Sequence, residues 1–208
     1  CLRDFYAPLC IGHDALQIEE ILRSCELQLP GNPAALAVLD FALHDLVGKA
    51  LEVPVHVLLG GACKDRIAME WSLGLADEKV MIEEAVTAIE KYGVKYLCVK
   101  VGPAVQIDAD VRVVKAVRKA LGPDIFLGVD ANTTYDRVSA VKLVERLADV
   151  GLTYFEKPGP AEALRDMRWT RDHATGAILE DEGVHSASDT RNVLAARPED
   201  MMGRTLNK

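Results

Sequence analysis

Lys100, Asp130, Glu156 and Asp181 each close a short apolar run, and they follow one another at spacings of 30, 26 and 25 residues. The apolar runs lie at 67–73, 96–101, 125–130, 153–156 and 177–180, with a weaker one at 201–206. Between them, amphipathic helices are predicted at 78–92, 106–121, 136–149, 161–172 and 187–196. In the second of these, Val111, Val114, Val117 and Leu121 form one stripe. Strands alternating with helices this regularly build βαβ units and a parallel sheet. An open sheet gathers ligands mainly at its switch point. Four consecutive strands that each deliver a charged side chain to the same end are instead what a (β/α) barrel produces.

The chain before residue 66 reads differently. Asp14 is placed to cap a helix reaching about Leu27, and Gly31-Asn32-Pro33 supplies a break, a cap and a first-turn proline. Leu36, Leu39, Leu43, Leu46, Val47 and Ala50 form the apolar face of the next helix, and Pro54 opens a short turn closed by Gly60-Gly61.

Composition narrows the classes of partner. The net charge is −8 and there is no basic run, which argues against nucleic acid and anionic membrane. No apolar run approaches the ~18 residues of a membrane-crossing helix. Cys1, Cys10, Cys25, Cys63 and Cys98 are odd in number, irregularly spaced and free of any C-x-x-C. Reduced thiols in a cytoplasmic protein are therefore expected. The N-terminal residues lack the apolar core of a signal peptide and an initiator Met.

Three carboxylates on neighbouring strand ends repel one another unless a cation lies among them. Mg²⁺ prefers oxygen donors and leaves positions for substrate. A lysine on the flank of such an ion suits removal of a proton α to a carboxylate. Taken singly, a strand-end Asp is more often a cap and a strand-end Lys more often a solvated group. The phase shared by all four carries the reading.

Several motifs stand in a fixed order. They are Gly31-Asn32-Pro33-Ala34-Ala35, the run from Leu39 to Lys49 with Asp40, His44 and Asp45, and Val53-Pro54-Val55 through Leu58-Leu59-Gly60-Gly61. Val99-Lys100-Val101-Gly102, Val129-Asp130-Ala131-Asn132, Phe155-Glu156-Lys157-Pro158 and Asp181-Glu182 follow. In these the chain resembles the enolase superfamily, in its muconate-lactonizing-enzyme and mandelate-racemase-like branch. The resemblance implies an α/β fold, a partial (β/α) barrel of the TIM type preceded by the helical part of an α+β capping domain. Residues 1–62 would be that helical part and 63–208 the first five to six βα units.

It further implies Asp130, Glu156 and Asp181 as ligands of Mg²⁺, with Mn²⁺ as an alternative, and Lys100 as the base. Glu182 would tune a lysine, and Asn132 would share the face of Asp130. Trp71, Ser72 and Cys98 would face the substrate pocket, with a core role as the equal alternative for Trp71. The substrate would be a small carboxylate, the reaction a racemisation, epimerisation or cycloisomerisation, and the assembly a homo-oligomer.

The chain also departs from the pattern. Cys98 stands where the family has a second lysine, and Lys157 where it has glutamine. Glu52 occupies a turn position usually held by glycine. The opposite-face lysine falls in register on Thr205, and Lys208, three residues on, would take that catalytic place only with a small insertion. His44 and His56 read as structural, and His185 as a minor pocket candidate. The family's leading sheet and last strands are not in the sequence. A piece of a longer chain, or a truncated relative that needs a partner, is expected. Two other readings stay open: a catalytically degenerate homologue acting as a structural fragment, and a Schiff-base enzyme using Lys100.

Overall fold

The computed structural model describes residues 1–102, 106–160, 163–184, 186–197 and 201–202. The chain forms two compact units, divided between Ile67 and Ala68. Among the described residues no helix is long and apolar enough to cross a membrane.

The first unit is helical. A π-helical turn at Leu2–Tyr6 runs into α1 (Ala7–Cys10), followed by α2 (Ile18–Gln28), α3 (Pro33–Ala50) and α4 (Val55–Leu58). Its core is Tyr6, Ile21, Cys25 and Leu43, with Leu36 and Leu39 packed against it. The Tyr6 hydroxyl donates to the Leu29 carbonyl at 3.2 Å, so a buried phenol keeps a polar partner. Asp14 does not cap a helix. Its carboxylate accepts from Leu16 N–H at 3.0 Å in a local turn, and α2 begins four residues later than Asp14. Leu46, expected on the inner face of α3, is 52 % exposed, whereas Leu43 and Val47 are buried.

The second unit is a parallel sheet with strands in the order β1-β2-β3-β4-β5-β6. The strands are β1 (Glu70–Leu73), β2 (Tyr96–Lys100), β3 (Phe126–Asp130), β4 (Tyr154–Glu156), β5 (Ile178–Glu180) and β6 (Met201–Met202). They alternate with α5 (Glu78–Tyr92), α6 (Ile107–Leu121), α7 (Arg137–Arg146), α8 (Leu164–His173) and α9 (Ala187–Ala196). A short 3₁₀ turn, Ala148–Val150, ends the segment expected as one helix over 136–149. This is a partial α/β barrel: every strand is parallel to its neighbour in sequence and the helices return the chain.

The alternation of side chains along each strand sorts the two faces. Leu97, Val99, Leu127, Val129, Phe155 and Ile178 pack against the helices, meeting Val111, Val114 and Val117 of α6 and Leu143 and Val144 of α7. Val114, Val117, Leu127 and Val129 are wholly buried, each worth about 1.5–3 kcal/mol relative to exposure. The residues between them point to the other face, and those carry the polar groups.

Candidate active site

Register brings the first three residues of the phased set into one row. Lys100 pairs with Asp130 across β2 and β3, and Asp130 pairs with Glu156 across β3 and β4. Glu156 pairs with Leu179, so Asp181 lies two residues beyond the row, on the same face as Leu179. Asp130 and Asp181 are buried, and Glu156 is partly so.

The row is dense in charge. Lys100 Nζ forms an ion pair with Asp130 Oδ2. Asn132 donates its backbone N–H to Asp130 Oδ1 at 2.7 Å, and its Nδ2 to Asp130 Oδ2 at 2.9 Å and to Glu182 Oε1 at 3.1 Å. Asn132 adopts a left-handed backbone, φ 42°, which turns its amide back onto Asp130. Burial, the largest single influence, pulls the Lys100 ammonium down, but the hydrogen bond and charge of Asp130, with the neighbouring Cys98 and Glu156, together hold it above the ordinary lysine value. Burial first, then the Asp130 and Asp181 carboxylates, pushes Glu156 up to about 8.

Among the described residues no three His, Cys, Asp or Glu side chains form a ready-made cation cluster. The donors still fit a hard divalent cation in kind. All are carboxylate oxygens, and Asp130, Glu156 and Asp181 lie close enough for the first and third to oppose ionisation of the second. One carboxylate is satisfied by an ammonium, the charge a cation would otherwise supply.

Cys98 lies on the Lys100 face, two residues down the strand. It is buried, and burial pushes its thiol well above the ordinary range despite a hydrogen bond with Tyr154. A neutral thiol therefore stands where the sequence resemblance predicts a lysine. Trp71 does not face this site. It pairs in register with Leu97 on the helix-facing side, donates Nε1–H to Glu84 Oε1 at 2.9 Å and stacks on Tyr92. The period of two along a strand puts Trp71 and its neighbour Ser72 on opposite faces.

The same rule relocates Lys157. Read in sequence it sets a cation beside Glu156, yet its side chain leaves by the other face and is wholly buried against Glu180. Lys208, Thr205 and His185 lie outside the described residues. His44 Nδ1 lies 2.9 Å from Asp40 Oδ1 within α3 and is structural there.

Sequence reasoning missed Glu70, Gly128 and Tyr154. The Tyr154 hydroxyl donates to Glu70 Oε2, and its ring lies over Gly128 toward Cys98. The register Ser72–Cys98–Gly128–Tyr154 forms a second row beneath the first. A glycine inside a strand, which marks close approach of another group, was the available signal.

With this geometry stand the likenesses to known proteins. Residues 1–60 match the family model for the mandelate racemase / muconate lactonizing enzyme N-terminal domain, and residues 80–203 match the enolase C-terminal domain-like model. The chain belongs to the mandelate racemase / muconate lactonizing enzyme family of the enolase superfamily. It is 31% identical over 193 residues to the chloromuconate cycloisomerase of Cupriavidus pinatubonensis, covering 93% of this chain and 52% of that protein. The N-succinyl Arg/Lys racemase structure from Bacillus cereus aligns with a TM-score of 0.92 at 29% identity, covering 100% of this chain and 56% of that one. The dipeptide epimerase from Enterococcus faecalis, crystallised with Mg and L-Leu-L-Tyr, aligns at 0.90 with 30% identity, covering 98% and 56%. The chain spans about half the length of the curated relatives it matches.

Proposed function

We propose that this chain carries the proton-abstracting half of a Mg²⁺-dependent enzyme acting α to a carboxylate, of the racemase, epimerase or cycloisomerase type. The observation that carries the reading is the row Lys100–Asp130–Glu156, with Asp181 on the same face of the next strand. Asp130, Glu156 and Asp181 would hold the cation. Residues 63–208 would be the barrel portion that bears them, and residues 1–62 the helical part of a capping domain.

When bound, Mg²⁺ supplies positive charge for the oxygens of a carboxylate substrate as the α-carbon gives up its proton. The chain's own residues account for the rest. Lys100 Nζ is the group on the flank of the carboxylates that takes the proton. In the present arrangement it carries a proton itself, paired to Asp130. Once Asp130 is engaged elsewhere, burial remains as the influence that lowers Lys100 toward a usable base. Asn132 bridges Asp130 to Glu182 and holds both carboxylates in place. The neutral Cys98 cannot grip a substrate carboxylate as a lysine would, so the substrate is held mainly through the acidic cluster and its cation.

Deuterium incorporation from D₂O tests this, using N-acyl amino acids and dipeptides with Mg²⁺ on the full chain. Exchange at the α-carbon that is lost in Lys100→Ala, with Mg²⁺ affinity lost in Asp130→Asn, is the expected result. Undiminished exchange in Lys100→Ala would assign the base elsewhere.

A further inference from the structure

Lys157 and Glu180 form an ion pair on the helix-facing side of the sheet, both side chains wholly buried. Their side chains lie on the opposite face from the row of Lys100, Asp130 and Glu156, yet each is the chain neighbour of a residue on that face. Lys157 follows Glu156, and Glu180 precedes Asp181. The ladder pairs Phe155 with Ile178 and Glu156 with Leu179. Lys157 and Glu180 are the next pair in that register, so their side chains join β4 to β5 one residue beyond the last paired rung.

The pair is tied further on both sides. Glu180 Oε1 also accepts from Gly183 N–H at 2.7 Å, in the turn just after Asp181. Lys157 Nζ lies 3.3 Å from Met167 Sδ of α8. The Lys157 backbone is left-handed, φ 39°, a conformation that a side chain of this size rarely adopts. Its carbonyl accepts from Thr133 N–H at 2.9 Å, while its own N–H donates to Leu179 O at 2.9 Å. Lys157 therefore links the loop after Asp130, the end of β4 and the end of β5. Glu180 Oε2 is buried with no hydrogen-bond partner among the described residues. A charge pair desolvated this fully, with an oxygen left over, gives packing little advantage over apolar residues of the same volume. Strain and unmet polarity of this kind gather where geometry is functionally constrained.

We propose that Lys157 and Glu180 are a positioning pair: their buried ion pair fixes the ends of β4 and β5 and so sets the placement of Glu156 and Asp181 on the opposite face. The inference rests on the reading of Asp130, Glu156 and Asp181 as cation ligands. It acts through those ligands, as hydrogen-bonded supports behind a metal site do.

The test is a Mn²⁺ titration followed by electron paramagnetic resonance on the full chain, with thermal unfolding measured in parallel. Glu180→Gln keeps an acceptor for Lys157 Nζ and Gly183 N–H, and its Mn²⁺ affinity is expected within about threefold of the wild type. Lys157→Met/Glu180→Leu removes both charges and leaves neither alone, and its affinity is expected to fall ~10–100-fold. If that double variant does not fold, Lys157→Gln/Glu180→Ala takes its place with the same expected loss. A folded double variant with shifted thermal stability but wild-type Mn²⁺ affinity would reduce the pair to a structural role and overturn the proposal. Wild-type protein that binds no Mn²⁺, or binds it equally well as Asp130→Asn, would instead overturn the ligand assignment, and the positioning role with it.

Discussion

The Tyr154 ring occupies the space that a side chain at Gly128 would need: a Cβ there would collide with Tyr154 Cζ. The two residues are register partners on β3 and β4. The ring crosses β3 to bring its hydroxyl within reach of Glu70 and Cys98. Gly128→Ala must therefore displace Tyr154 or separate two strands. A loss of about 1–3 kcal/mol is expected in urea unfolding. Gly74→Ala, where a Cβ meets nothing within 4 Å, is the control and should lose far less.

Glu156 makes stability depend on pH in a direction unusual for a carboxylate. Burial, reinforced by Asp130 and Asp181, raises its folded value to about 8, above the ordinary glutamate value of 4.5. Between those two values the folded protein holds a proton that the unfolded chain has released. The group's contribution is thus fully present below the unfolded value and is lost as pH rises through the folded one. With a chelator present, the melting temperature is expected to fall from pH 5 to pH 9 more steeply in the wild type than in Glu156→Gln. Parallel profiles would show that Glu156 is not the group responsible.

Asp136 works in the opposite sense. Its carboxylate accepts from Val138 N–H at 2.9 Å and Ser139 N–H at 3.0 Å, capping α7. The backbone and side-chain hydrogen bonds of Ser139 hold it below the ordinary aspartate value. Its contribution is present above the unfolded value and is lost as pH falls through the lowered folded one. Asp136→Ala should cost ~0.5–2 kcal/mol near neutrality. Asp136→Asn should retain much of the cap while losing its acid-side dependence, as followed by circular dichroism on acid titration.

Glu52 stands with φ 57° in the turn that follows α3, a backbone conformation that glycine adopts without strain. The turn is also closed tightly, since a Cβ on Gly48 would lie 2.9 Å from the Val53 carbonyl oxygen. Glu52→Gly relieves the left-handed strain and gives back part of that gain in chain entropy. A net stabilisation of roughly 0.5–1 kcal/mol is expected. Calorimetry would read it as a higher melting temperature, and Gly48→Ala should move the temperature the other way.

The partial barrel and its charged row were legible in the residue order. Strands and helices alternate with apolar periods of two and 3.6, and a parallel sheet repeats every βα unit, so equal spacing implies equal position. That reasoning places Lys100, Asp130 and Glu156 side by side without any coordinates, and the stripe Val111, Val114, Val117 emerges as buried. It does not determine which face a residue just past a strand end takes, nor what crosses between strands. The sequence admits Trp71 to the pocket or the core, and it lies on the helix side. Lys157 follows Glu156 in sequence but pairs with Glu180, and Asp14 has the composition of a cap but forms a local turn. The positions of Trp71 and Lys157 depend on register and strand ends, and side chains meet across 23 and 84 residues of chain where Lys157 reaches Glu180 and Tyr154 reaches Glu70, whereas Asp14 is decided by a local turn that competes with the cap. Periodicity is a local property that the chain carries along its length, so sequence alone determined the repeat and the alignment of Lys100, Asp130 and Glu156 at its strand ends. Pairing across strands requires the backbone to be folded first, and only tertiary structure decided which way the residues past the strand ends turn and which distant side chains they meet.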